Sequence, residues 1–220
     1  MGVSENLRAV RDRIRAACER AGRDPAGVLL VAVSKTRPPE SIRVALDAGQ
    51  RDFGENYARE LREKAEALPA ARWHFIGSLQ TNKVKLVVGR AELIHTVDRE
   101  ALGVEIGRRA RGAVQRVLVE VNIAREPQKG GVMPEGLPAL LERLRALPAL
   151  RVEGLMCMPP LGQDPRPSFR ELHELRTAHG CGPELSMGMS EDYEAAIEEG
   201  ATIVRVGTAI FGARPGSASV

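Results

Sequence analysis

Apolar and polar positions along this chain follow two periods in turn. Residues 4–21 carry Leu7, Val10, Ile14 and Ala17 at helical spacing with charges between them, which predicts an amphipathic helix. Residues 28–33 then form a continuous run, Val-Leu-Leu-Val-Ala-Val, of the kind that suits a strand buried on both faces, as in a parallel sheet. Pro38, Pro39 and Glu40 open the next helix and Gly49 stops it. The unit recurs. Further strands are predicted at 51–55, 72–76, 92–96, 117–122, 152–157, 184–187 and 203–206. Helices are predicted at 57–68, 82–88, 99–111, 135–146, 167–178 and 191–199, with a short one at 208–211.

Eight strands alternating with helices predict an α/β fold, a (β/α)8 TIM-type barrel with an extra N-terminal helix. The chain reads as a single domain over 1–220 with its core at 28–212, and 220 residues suit one such barrel. An open doubly wound sheet is the alternative that the same alternation leaves. No shift in composition marks a domain boundary. Residues 159–167, rich in Gly and Pro, read as a loop of the sixth unit, and 215–220 as a frayed tail.

Composition narrows the classes. No apolar run approaches the roughly 20 residues that span a bilayer, and the first residues are too rich in Arg and Glu for a secretory signal. A cytoplasmic location is expected, with no membrane partner. Cys18, Cys157 and Cys181 are an odd number with no CxxC pairing, which fits reduced thiols and argues against a zinc site. The net charge is only +3 and aromatic residues make up 3%, so nucleic acid is not an expected partner. His173 and His179 do not form an HExxH pair, and neither a Walker loop nor GxGxxG occurs.

A barrel places its chemistry at the C-terminal ends of its strands. Lys35 directly follows the first apolar run. There a lysine is partly desolvated, which favours the neutral amine that attacks an aldehyde, unless it is an ordinary solvated side chain. Lysine occurs at only five positions, 35, 64, 83, 85 and 129, which adds some weight to its placement. After the eighth strand, Gly207 and Thr208 would offer N–H groups at the start of a short helix, an arrangement that binds phosphate, with a plain closing turn as the alternative. Gly207 would also let the backbone approach a ligand closely. Ser186 to Ser190 add hydroxyls after the seventh strand. Cys157 reads as a packing residue. His74 is either a base or cofactor contact or a structural histidine.

These segments together resemble the pyridoxal phosphate homeostasis proteins. The motifs are Val31-Ala-Val-Ser-Lys-Thr36, Asp52-Phe-Gly-Glu-Asn-Tyr57 and Trp73-His-Phe-Ile-Gly77 with Leu79-Gln80 and Asn82-Lys83. Downstream come Val121-Asn-Ile123, Gly154-Leu-Met156, Leu185-Ser-Met-Gly-Met-Ser190 with Asp192, and Arg205-Val-Gly-Thr208. The ordered set spans nearly the whole chain. The resemblance implies a barrel similar to the N-terminal domain of alanine racemase (PLP fold type III) without that enzyme's β-domain. It implies pyridoxal 5′-phosphate (PLP) as cofactor, held as a Schiff base on Lys35. It places Ser186, Gly207 and Thr208 around the phosphate and Arg205 beside the pyridine nitrogen, with Asn56 and His74 as neighbours. Two departures, Ser78 and Gly130-Gly131, fall in loops.

A guanidinium has no acceptor, so Arg205 facing the pyridine nitrogen requires that nitrogen to be unprotonated, which makes the ring a poorer electron sink. Racemisation also needs a second base, and only Tyr57 and Tyr193 are available as tyrosines. With these restrictions, the resemblance implies a PLP reservoir or carrier, with no established catalysis, that supports PLP homeostasis and amino-acid and keto-acid balance. The partners expected are PLP and PLP-dependent apo-enzymes, and the oligomeric state expected is a monomer. A weak amino-acid racemase is the enzymatic alternative, and a barrel enzyme for a phosphorylated metabolite is the third reading.

Overall fold

The computed structural model describes residues 2–213, so the tail read at 215–220 lies outside the described residues. The strands are β1 (Leu29–Val33), β2 (Asp52–Glu55), β3 (Arg72–Phe75), β4 (Ala91–Val97), β5 (Gln115–Glu120), β6 (Leu150–Met156), β7 (Glu184–Ser186) and β8 (Ile203–Val206). After α1 (Val3–Arg20) the helices are α2 (Pro39–Asp47), α3 (Ala58–Ala67), α4 (Val84–Val87), α5 (Glu100–Arg109), α6 (Leu137–Arg145), α7 (Arg166–His179), α8 (Tyr193–Glu198) and α9 (Thr208–Phe211).

All strand pairs are parallel, and the order runs from β1 to β8 and closes on itself. The closure is β8 against β1, with Leu29 opposite Ile203 and Ala32 opposite Val206. An open doubly wound sheet would leave two edges and reverse its strand order midway. That alternative is excluded. Alternation along each strand sorts the side chains. Leu30, Ala32, Phe53, Phe75, Ile94 and Val204 join the large core under the helices. Val31, Leu93, Leu118, Met156 and Ile203, each from a different strand, form a separate smaller cluster that fills the barrel.

α1 lies outside the repeating unit. Its stripe Leu7, Val10, Ile14, Ala17 and Cys18 is buried, and it packs against α8 and α9. Arg20 reaches Glu194 and Glu198 of α8, each at 2.9 Å. The Asn6 amide nitrogen donates to the Ile210 carbonyl at 2.9 Å, and so fastens α1 to α9.

Some boundaries differ from the pattern. The helix predicted at 82–88 is a 3-10 turn, Thr81–Lys83, followed by the single α-turn of α4, because Gly89 at φ +77° ends it. The strand predicted at 117–122 begins and ends two residues earlier. Asn122 leaves the ladder because its side chain donates to the Glu126 carbonyl at 2.8 Å and accepts from the Glu126 amide at 3.2 Å, which shapes the following loop.

Candidate active site at the barrel mouth

Lys35 stands half-buried at the tip of β1, clamped by its neighbours on both sides. On one side, Ser34 donates its hydroxyl to Glu55 Oε1 at 2.6 Å. On the other, the Thr36 amide donates to Glu60 Oε1 at 2.7 Å. Lys64 Nζ sits between these contacts, 2.6 Å from the Ser34 carbonyl, 2.7 Å from Glu55 Oε1 and 2.6 Å from Glu60 Oε1. Thr36 takes φ +62°, a conformation costly for a β-branched residue, and this turns the chain sharply just after Lys35. Burial pushes the Glu55 carboxyl up while Lys64 and Ser34 pull the other way. Its second oxygen, Oε2, is buried without a hydrogen-bond partner.

A cavity of about 800 Å³ opens over this platform, lined by Lys35, Asn56, Arg205, Gly207 and Thr208 together with Ser190. Five of the seven residues singled out from the sequence therefore share one wall. Asn56 follows β2. Its backbone is pressed against Gly77, where an added Cβ would lie 2.1 Å from the Asn56 carbonyl oxygen. Asn56 Oδ1 is buried with no hydrogen-bond partner and is an acceptor awaiting a donor. Gly207 precedes α9, whose first N–H groups have no acceptor within the helix. The Gly207 amide itself donates to Ser190 Oγ at 3.2 Å. The absence of a side chain at Gly207 is explained by packing, since an added Cβ would meet Val33 at 3.3 Å. The close approach here is thus to β1.

Ser186 and His74 do not line that cavity. Both are buried beneath it in the barrel interior, where His95 joins them. Arg205 Nη1 donates to Ser186 Oγ at 2.6 Å, and Nη2 donates to the Cys157 carbonyl at 3.0 Å. Ser186 Oγ is 2.8 Å from His95 Nδ1, His95 Nε2 is 3.0 Å from His74 Nδ1, and His74 Nε2 is 3.1 Å from Asp52 Oδ1. Arg72 closes the far end with its guanidinium 2.6 Å from Asp52 Oδ2. Burial lowers the basicity of His95 far below the usual histidine range, which favours the neutral ring. Burial opposes the charge on Asp52, yet hydrogen bonds from His74 and Arg72 outweigh it and hold the carboxyl below its ordinary value. Burial likewise pushes the Cys157 thiol up to about 12, which leaves it protonated and inert.

The sequence singles out no role for His95 or Lys64, and it marks Asp52 and Glu55 only as members of the motif Asp52-Phe-Gly-Glu-Asn-Tyr57. The one local signal for His95 was a histidine inside the apolar strand Leu93-Ile-His-Thr-Val97. The roles of the other three come from partners on neighbouring elements. The tyrosines are not placed for work at the cavity. Tyr193 is buried under Arg13, whose guanidinium lies 5.4 Å from the ring centre, and Tyr57, next to Asn56, is exposed and does not line the cavity.

A closed parallel barrel with an amine at the first strand tip and a helix N-terminus after the last belongs to a known class. The family model described as alanine racemase, N-terminal domain, matches residues 6–215. Among curated relatives, the pyridoxal phosphate homeostasis protein of Aquifex aeolicus is 50% identical over 226 residues, covering 97% of this chain and 99% of that protein. The one from Pseudomonas aeruginosa is 46% identical, covering 96% of each. PipY of Synechococcus elongatus, solved with PLP bound, superposes with a TM-score of 0.82 at 35% identity, covering 96% of this chain and all of that one. The chain belongs to the pyridoxal phosphate homeostasis protein family.

Proposed function

We propose that this protein binds pyridoxal 5′-phosphate on Lys35 and serves as a reservoir and carrier of the cofactor for PLP-dependent apo-enzymes. The observation that carries this is the shared cavity: an amine, a buried guanidinium and a helix N-terminus face one space. The parts fit the group. The Lys35 amine condenses with an aldehyde with loss of one water, reversibly. Thr208 and the first turn of α9 suit a phosphate, with Gly207 and the Ser190 hydroxyl beside them. Arg205 offers N–H donors to a pyridine nitrogen. Asn56 Oδ1, buried and unsatisfied, would suit a hydroxyl donor on the ring.

PLP supplies an electrophilic aldehyde conjugated to an electron-poor ring. The residues temper that chemistry. Arg205 can only donate, so it holds the ring nitrogen unprotonated and leaves the ring a weak electron sink. Neither tyrosine lines the cavity to act as the opposing base that a racemase needs. Retention without turnover follows. No helix among the described residues is long and apolar enough to cross a membrane, and the three cysteines are buried free thiols, as suits a reducing compartment. We place the protein in the cytoplasm, as a monomer of one domain.

Incubation with PLP followed by borohydride reduction tests the reading. The expected result is a reduced pyridoxyl label on the Lys35 peptide by mass spectrometry, absent from Lys35→Ala. A label distributed over other lysines, or none, overturns it. Proton–deuterium exchange at the alanine Cα at ordinary enzyme rates would replace the carrier with a racemase.

A further inference from the structure

The buried contacts beneath the cavity form one continuous chain from Arg205 to Asp52, drawn from β8, β7, β4, β3 and β2. Its two ends are a guanidinium that only donates and a carboxylate that, when ionised, only accepts. A guanidinium only donates, so Ser186 Oγ accepts from Arg205 Nη1. The Ser186 hydroxyl keeps its own hydrogen to give to His95 Nδ1 at 2.8 Å, an arrangement in which that nitrogen is bare. Neutral His95 consequently carries its proton on Nε2 and donates it to His74 Nδ1. With a single proton on its ring, His74 then carries it on Nε2, facing Asp52 Oδ1. Counted from the other end, an ionised Asp52 only accepts, and one proton on each ring repeats this order. All four hydrogen bonds point one way, from the cation to the carboxylate.

Such an array is cooperative. Each member that gives its proton toward Asp52 becomes a better acceptor for the donor before it, by about 10–30% per bond. The effect ends at Ser186 Oγ, the atom that grips Arg205. Arg205 needs that grip, since full burial works against its charge. With Nη1 held by Ser186 and Nη2 by the Cys157 carbonyl, the guanidinium plane is fixed where it lines the cavity.

We infer that Asp52, His74, His95 and Ser186 are positioning residues, a one-directional relay that holds Arg205 as an obligatory hydrogen-bond donor to the ring nitrogen of the bound cofactor. The inference rests on the PLP reading for its cofactor end only. The tautomer pattern belongs to the protein alone.

The test compares binding of PLP with binding of its 1-deaza analogue, in which C–H replaces the ring nitrogen, to the full chain. The wild type is expected to prefer PLP at least tenfold. In His95→Leu the preference should fall below threefold. In His95→Gln, whose amide oxygen accepts from Ser186 and whose N–H donates to His74, it should return to within threefold of wild type. A purely structural role would weaken both ligands alike and leave the ratio unchanged, and that result overturns the inference. Should His95→Leu fail to fold, Asp52→Asn preserves shape while removing the terminal charge, and the preference should still drop at least threefold. An unchanged ratio there counts against the relay in the same way. Nitrogen-15 NMR of the cofactor-free protein reads the protons directly. A bare Nδ1 on His95 supports the relay, and a proton on that atom refutes it whether or not Lys35 takes up PLP.

Discussion

Glu120 ends β5 below the mouth, and burial, with the charge of Asp98 adding to it and Arg205 opposing, pushes its carboxyl up to about 7. A carboxyl raised in the fold above its unfolded value of about 4.5 holds its proton more tightly when folded. Its contribution to stability is therefore complete below about pH 4.5 and is lost as pH rises through about 7. Glu120→Gln cannot titrate. Between about pH 4.5 and pH 8 the variant should gain about 3 kcal/mol relative to wild type, read by urea unfolding at the two pH values. A constant difference would mean the carboxyl ionises normally. Legibility at this scale depended on distance along the chain. Lys35 showed itself because it follows its own strand directly. His95 did not, because its partners His74 and Ser186 are 21 and 91 residues away. His74 was visible as a residue, but its place in the barrel interior depends on Asp52 and His95.

At the scale of elements, the helices and strands followed from periodicity because each buries a face whose spacing the chain itself carries. The differences fell at element ends, as in the short α4 before Gly89 and the early exit of β5, where the Asn122 side chain bonds the following loop. Two close approaches were also out of reach of local pattern. An added Cβ at Gly77 would meet Asn56, and one at Gly154 would lie 1.9 Å from the Glu184 carbonyl oxygen between β6 and β7. The N-terminal helix is legible as amphipathic, while its partners are not. It serves as the brace for α9 and so for Thr208. Leu7→Ala, at a fully buried position of α1, should cost about 2–5 kcal/mol in unfolding free energy. A loss below about 1 kcal/mol in denaturant titration would show that α1 is a loosely attached arm.

For the whole molecule, closure of the sheet is the decisive event, because it gathers tips from strands far apart in sequence around one cavity. A ligand that binds only this closed form must stabilise it. At a PLP concentration a hundred times its dissociation constant the gain is about 2.7 kcal/mol, or about 5–10 °C in Tm for a chain of this size. Thermal scans with and without PLP should show that rise for wild type and lose most of it for Lys35→Ala. An equal rise in both would mean that attachment at Lys35 contributes little.

The strand and helix alternation, the strand count, the lysine at the first strand tip and the glycine turn after the last strand could all be read from residues in order. Periodicity, strand-end position and glycine placement are local properties, carried by a few neighbouring residues. Closure over an open sheet, the Glu55–Lys64 platform and the proton order from Arg205 to Asp52 required the folded chain. Each depends on side chains from separate strands meeting in a water-poor interior, where an unpaired polar group is costly and only one arrangement of donors and acceptors satisfies them all.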